Sequence, residues 1–129
     1  MILITGAAGF IGSYLTGFLN RLGEDKILLV DKLGSKEKWK NISGKKIVDF
    51  VDRDEFLLLM DKFNNIKFIY HIGACADTTE TDVDYLMKNN FEYSKALFRY
   101  AEQKKIPFVY ASSAATYGSG ENDYDDNET

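Results

Sequence analysis

The residues with the clearest chemical use are three glycines in the run Gly6-Ala7-Ala8-Gly9-Phe10-Ile11-Gly12. The run follows an apolar segment directly and opens a helical pattern. In that setting Gly6 allows a tight turn, Gly9 lets backbone approach a pyrophosphate, and Gly12 lets helix and strand pack closely. The helix start then offers N–H groups and the positive end of its dipole to phosphate oxygens. Phe10 and Ile11 are expected to supply amides there while their side chains enter the core. Asp31, 19 residues beyond Gly12, ends the second apolar run, where a carboxylate would accept hydrogen bonds from an adenosine ribose. Taken alone, Asp31 favours NAD, because a carboxylate repels a 2′-phosphate. Lys32, Lys36, Lys38 and Lys40 follow at once and could neutralise that phosphate, so spacing leaves NAD and NADP both open.

These residues need a scaffold of alternating strands and helices. Five apolar runs are read as strands: Ile2 to Thr5, Lys26 to Asp31, Lys46 to Asp49, Lys67 to His71 and Pro107 to Ala111. Most lack alternation, as expected for strands buried on both faces of a parallel sheet. Between them, Phe10, Ile11, Tyr14, Leu15, Phe18, Leu19 and Leu22 recur at helical spacing. A short helix is expected over Asp54 to Lys62, with Phe56, Leu57 and Met60 on one side. A long one spans Asp82 to Lys104, with Leu86, Tyr93, Leu97, Tyr100 and Ala101 on its inner face and Thr81 as its cap. Lys32 to Lys45 and the acidic stretch Gly118 to Thr129 are read as loops. The pattern predicts a doubly wound α/β fold with a parallel sheet, a Rossmann-type NAD(P)-binding domain over 1–129. Five strands are one short of the usual six, and the fifth would form an apolar sheet edge. The expectation is therefore an incomplete domain whose substrate-binding part is absent.

Composition narrows the classes further. The chain has 129 residues, 45% of them hydrophobic and 28% charged, which suits one globular domain. A net charge of −4 argues against general nucleic-acid binding. One cysteine and one histidine cannot assemble a metal cluster, and a lone cysteine fits a reducing compartment. No run is long enough to span a bilayer, so a cytoplasmic protein is expected, with no nucleic-acid or membrane partner. Three reactive-looking residues have plainer roles. Cys75 reads as small buried packing, His71 as a satisfied group ending a buried strand, and Trp39 either as an adenine stacker or as a loop residue covering apolar surface.

The G-x-x-G-x-x-G spacing resembles that of the extended short-chain dehydrogenase/reductase family. The likeness continues in Val48-Asp49, which looks like the family's adenine-side acid, and in His71-Ile72-Gly73-Ala74-Cys75, where a small-residue loop passes the cofactor. It continues in Asn89-Asn90 and in Ala111-Ser112-Ser113-Ala114-Ala115-Thr116-Tyr117-Gly118, which is similar to the segment carrying the catalytic serine. Thr78-Thr79-Glu80, Tyr93-Ser94-Lys95 and Ile106-Pro107-Phe108 draw the resemblance towards the nucleotide-sugar epimerases of that family, in particular those acting on an ADP-linked heptose.

That resemblance implies bound NADP. The residues that would touch it are Phe10, Ile11, Asp31, Lys32, Lys38, Arg53, Asn89 and the loop Ile72, Gly73, Ala74, Cys75 and Ala76. Arg53 stands where the family often has lysine, Lys32 where asparagine is common, and Ile72 where an acid is common. The implied chemistry is epimerisation through a transient ketone, with Ser113 hydrogen-bonding the reacting oxygen and Thr116 adding a second hydroxyl. The implied substrate is an ADP-heptose or another nucleotide sugar, the implied setting lipopolysaccharide core synthesis, and the implied assembly a homo-oligomer of the full-length enzyme. The family's proton acceptor is a tyrosine with a lysine four residues on, whose charge lowers the tyrosine pKa. Tyr100 and Lys104 have that spacing, but they precede Ser113 and Tyr100 lies on an apolar helix face. The working pair is therefore expected beyond Thr129, and this chain alone is expected to be inactive. The competing expectations are another family activity, such as a UDP-sugar 4-epimerase, dehydratase or reductase, and a non-catalytic nucleotide-binding module.

Overall fold

The computed structural model describes residues 1–32, 38–72 and 83–110, with the side chains of 38 and 83–90 excepted. Strand β1 (Ile2–Thr5) leads into helix α1 (Phe10–Arg21), and β2 (Ile27–Asp31) is followed by a 3-10 turn at Lys38–Asn41. Then come β3 (Asp49–Asp52), α2 (Arg53–Leu59) running into a 3-10 turn at Met60–Lys62, β4 (Phe68–His71), α3 (Val83–Lys104) and β5 (Phe108–Tyr110). All four strand pairings are parallel, in the order β3-β2-β1-β4-β5. This is the expected doubly wound order. It places the first crossover reversal between β1 and β4, where such sheets hold ligands at their carboxyl edge.

Strands β1 and β2 are almost wholly apolar and buried because each face packs against helices. Leu3, Leu28, Val30 and Ile69 meet Phe56 of α2 and Tyr93, Leu97, Tyr100 and Ala101 of α3. Ile2, Ile4, Ile27 and Leu29 meet Leu19 and half-buried Leu15 of α1 on the other face. The inner face expected for α3 is thus present at Tyr93, Leu97, Tyr100 and Ala101. Leu86 lies among the side chains not described, and Thr81 and the stretch Gly118 to Thr129 lie outside the described residues. At the far edge, β5 exposes Val109 and Tyr110, as an edge strand with an apolar sequence must.

Two expectations need correcting. The third strand is Asp49–Asp52, not Lys46 to Asp49. The Asn20 side chain clasps the Lys46 backbone, accepting from its N–H at 2.8 Å and donating to its carbonyl at 2.9 Å. That residue is thereby tied to the end of α1, and the ladder starts later, with Leu28 opposite Asp49. In α1, the buried residues are Gly12, Ser13, Thr16 and Leu19, not the aromatic stripe. Phe10 is 85% exposed and Ile11 62%, and Tyr14, Phe18 and Leu22 are also exposed. The cause is steric. A Cβ on Gly12 would stand 2.3 Å from the Gly6 carbonyl oxygen and 2.8 Å from Ala7 Cα. Only the face of small residues can approach the turn this closely, so the large side chains point away.

Helix ends follow local chemistry. The Asp52 carboxylate caps α2, accepting from the amides of Asp54 at 2.9 Å and Glu55 at 3.4 Å. At the end of α3, Lys105 takes a left-handed conformation (φ 56°), and the Ile106 amide donates to the Ala101 carbonyl at 2.8 Å, closing the helix as a Schellman turn does.

Candidate functional site

The turn between β1 and α1 is built around its glycines. Gly6 has φ 68°, a left-handed conformation that costs other residues about 1 kcal/mol or more. The Gly9 amide donates to the Gly6 carbonyl at 3.2 Å, and the Ser13 amide to the Gly9 carbonyl at 3.0 Å. Gly9 brings no side chain to cap α1, and the helix has no acid in its first turn. The N–H groups of Phe10, Ile11 and Gly12 therefore have no acceptor among the described residues, and nothing there offsets the positive end of the dipole. Such a helix start can bind an anion with several amides at once. Phe10 and Ile11 offer their backbone as expected, although their side chains stay outside the core.

Asp31 closes β2 beside this turn. Its Oδ2 accepts from the Ala8 amide at 2.9 Å, and its Oδ1 from the Lys32 amide at 2.7 Å. A carboxylate has about four acceptor sites and so can accept from several donors at once. The next peptide is also held, because Asn41 Nδ2 donates to the Ala8 carbonyl at 2.8 Å. Asn41 belongs to the stretch read as a plain polar loop, and nothing in its spacing signals this contact.

The expected place of Asp49, after the third strand, also needs correcting. Asp49 begins β3 and so lies at the amino end of that strand. Asp52 ends it, in register with Asp31, at the carboxyl edge. The next residue, Arg53, places its guanidinium carbon 4.4 Å from the centre of the Tyr93 ring. Lys32, on the neighbouring strand end, is paired with Asp54 at 3.2 Å. Lys38 opens the 3-10 turn. Trp39, in the same turn, is about half exposed.

Behind this edge sits His71, 1% exposed. Its Nδ1 lies 2.5 Å from Thr5 Oγ1 and its Nε2 2.8 Å from Ser94 Oγ. One ring nitrogen donates and the other accepts, as a neutral imidazole must. Burial first, and then the Arg53 charge, lower its pKa to about 4. His71 is thus the satisfied, uncharged group expected from its place at the end of a buried strand. The Ile72 amide donates to the Thr5 carbonyl at 3.2 Å, which ties the start of the expected cofactor loop to the residue before Gly6. Tyr93 is 5% exposed, its hydroxyl has no hydrogen bond among the described residues, and burial raises its pKa.

Tyr100 and Lys104 are placed as packing groups. Tyr100 is 2% exposed and donates to the Phe63 carbonyl at 3.0 Å, well away from the β1–β4 carboxyl edge. Gly73, Ala74, Cys75, Ala76, Thr78, Thr79, Ser113 and Thr116 lie outside the described residues, as do the side chains of Lys38 and Asn89. Among the described residues there is no metal-binding cluster and no helix long and apolar enough to cross a membrane.

The arrangement is that of a dinucleotide cradle: a glycine turn, a row of open amides, and an acid at each of two adjacent strand ends. The profile of the NAD dependent epimerase/dehydratase family matches residues 2–129. The chain belongs to that family. Within the family, it is 48% identical over 129 residues to the ADP-L-glycero-D-manno-heptose-6-epimerase of Fusobacterium nucleatum, covering 98% of this chain and 39% of that protein. The crystal structure of the Helicobacter pylori ADP-L-glycero-D-manno-heptose-6-epimerase superposes with a TM-score of 0.79 at 32% identity, over 91% of this chain and 40% of that one. The UDP-glucuronic acid 4-epimerase of Bacillus cereus, solved in complex with NAD, gives 0.75 at 26% identity, over 92% of this chain and 41% of that one. The chain thus spans about two-fifths of the length of these family members.

Proposed function

We propose that this chain is the cofactor-holding part of an epimerase that inverts the 6-position of an ADP-linked glycero-manno-heptose, using bound NADP. The observation that carries the cofactor half is the row of open amides at Phe10, Ile11 and Gly12 beside the Asp31 carboxylate. The heptose substrate rests on the likeness to the epimerases named above. In lipopolysaccharide-bearing bacteria such a product would serve core synthesis.

The residues present fit the cofactor. Gly6, Gly9 and Gly12 shape the turn, and the first amides of α1 would hold the pyrophosphate. Asp31 would bind the ribose, while Lys32, Lys38 and Arg53 would surround the 2′-phosphate. The backbone of Ile72 to Ala76 and the side chain of Asn89 would line the nicotinamide half. When bound, the nicotinamide supplies a place for a hydride to rest and return from. The sugar alcohol is oxidised to a ketone and reduced again from the opposite face. Ser113 would hold the sugar oxygen by a hydrogen bond while its proton leaves and returns, with Thr116 beside it. Tyr100 does not serve as the proton acceptor, because its hydroxyl is committed to Phe63 in the core. That role falls to a tyrosine–lysine pair elsewhere in the full-length enzyme.

The similarity to an NAD-bound UDP-sugar epimerase supports a second reading, in which NAD and a UDP-sugar replace NADP and the heptose. Titration calorimetry with NADP and NAD separates the two, with Gly9→Asp as the control that fills the pyrophosphate path. NADP preference lost in the control supports the first reading; NAD preference overturns it. Interconversion of the two ADP-heptose epimers by the full-length protein, followed by NMR, tests the substrate. No interconversion in a protein that binds NADP would refute the heptose assignment.

A further inference from the structure

Two cations follow the two acids at the carboxyl edge, and they are held very differently. Lys32 is exposed and engaged with Asp54, itself exposed. Arg53 is half-buried, with its guanidinium against the Tyr93 ring at 4.4 Å. Tyr93 is in turn fixed on the buried face of α3. Its ring lies nearly parallel to the His71 imidazole, with centroids 6.1 Å apart, and His71 is pinned between Thr5 and Ser94. A chain of contacts thus runs from the end of β1 through β4 and α3 to the guanidinium at the end of β3. A lysine in place of Arg53 would gain little from it, since a planar guanidinium stacks on an aromatic face and an ammonium is better hydrated.

We propose that Tyr93 is a positioning residue for the dinucleotide: its ring face fixes the Arg53 guanidinium at the end of β3, the strand in register with Asp31, and so sets the preference for a 2′-phosphate. This rests on the reading of Arg53 as a 2′-phosphate contact given above. It adds a residue of α3, distant in sequence from the glycine turn and both acids, to the determinants of cofactor choice. The ring does this work, because the hydroxyl makes no hydrogen bond among the described residues.

The test is titration of NADP and NAD into the full-length protein carrying Arg53→Ala, Arg53→Lys, Tyr93→Phe, Tyr93→Leu, and Tyr93→Leu combined with Arg53→Lys. Arg53→Ala examines the underlying reading: unchanged NADP affinity refutes the 2′-phosphate contact itself. If that contact stands, Tyr93→Leu should weaken NADP about 3- to 10-fold, the scale of a cation–π contact, and leave NAD within about two-fold. Tyr93→Phe should bind both cofactors as the parent does. Arg53→Lys should cost much less in the Tyr93→Leu background than alone, as two residues acting through one contact require. Equal weakening of NADP and NAD by Tyr93→Leu would show a merely structural role and overturn the proposal, as would loss of NADP binding in Tyr93→Phe. Should Tyr93→Leu fail to fold, Tyr93→Met keeps apolar bulk without a ring face and must show the same selective loss.

Discussion

Alanine at Gly9 and alanine at Gly12 should fail in opposite ways. At Gly12 the added Cβ meets three backbone atoms of the turn, at 2.3, 2.8 and 2.9 Å. None of them can swing aside, so α1 must retreat by roughly 1 Å to restore normal contact, an overpacking that costs about 1–3 kcal/mol. For a chain of this length that lowers the unfolding midpoint by about 4–11 °C. At Gly9 the nearest atom to the new Cβ is the Gly6 oxygen at 3.4 Å, an ordinary contact, and the backbone there (φ −76°, ψ 177°) suits any residue. Gly9→Ala should therefore stay within about 0.5 kcal/mol of the parent, the lower entropy of its unfolded chain offsetting a slightly poorer cap. Its methyl would occupy the side of the turn where the pyrophosphate runs, and NADP affinity should fall about tenfold or more, a loss of at least about 1.4 kcal/mol. Thermal unfolding without nucleotide, paired with calorimetric titration of NADP, reads both effects. If Gly9→Ala binds NADP like the parent, the phosphate path over Gly9 is wrong. If it unfolds as early as Gly12→Ala, the turn is shaped by internal packing at both positions.

Other substitutions test the surrounding structure. His71 has a folded pKa of about 4, below its ordinary 6.5, so the unfolded chain binds the extra proton between these values. Its contribution is complete above pH 6.5 and is lost as pH falls towards 4, by at most about 3 kcal/mol. Urea unfolding between pH 4 and 7 should show this slope in the parent and a much flatter one in His71→Asn; equal slopes would refute the assignment. Lys105→Gly should raise stability by up to about 1 kcal/mol, because glycine adopts the left-handed conformation that Lys105 now holds, and a fall in the melting midpoint would contradict that reading. Asp52→Ala should cost about 1 kcal/mol by uncapping α2, with Asp52→Asn retaining most of the cap; equal losses in chemical denaturation would show that the charge rather than the hydrogen bonds carries the effect.

Much of this was legible in the sequence because burial on both faces leaves a simple trace. Strands β1, β2 and β4 fall within a residue of their expected limits, and the parallel order follows from the alternation of strands with helices. The misreadings have specific causes. Strand β3 is displaced because Asn20 captures the Lys46 backbone, a contact between residues 26 positions apart that local apolar character cannot reveal. That displacement hid Asp52 as the partner of Asp31. The face of α1 was misread because periodicity finds the larger apolar residues, whereas the turn admits only Gly12, Ser13 and Thr16. Tyr93 was recognised as core, but its contact with Arg53 depends on how α3 crosses the end of β3, and no spacing encodes that.

The two hydrogen bonds to the Ala8 backbone reach further than their size suggests. Asp31 holds the N–H of the peptide before Ala8, and Asn41 holds the carbonyl of the peptide after it, so neither plane flanking Ala8 can flip without breaking one of these bonds. The nucleotide would then meet a turn already in its working shape, with little ordering left to oppose binding. One of those anchors comes from the polar segment linking β2 and β3, the sort of surface connection in which insertions and exchanges are usually tolerated. Here a graft that replaced that connection without its asparagine would loosen the phosphate turn from the far side. Dinucleotide affinity would thus travel with the loop as well as with the glycine motif.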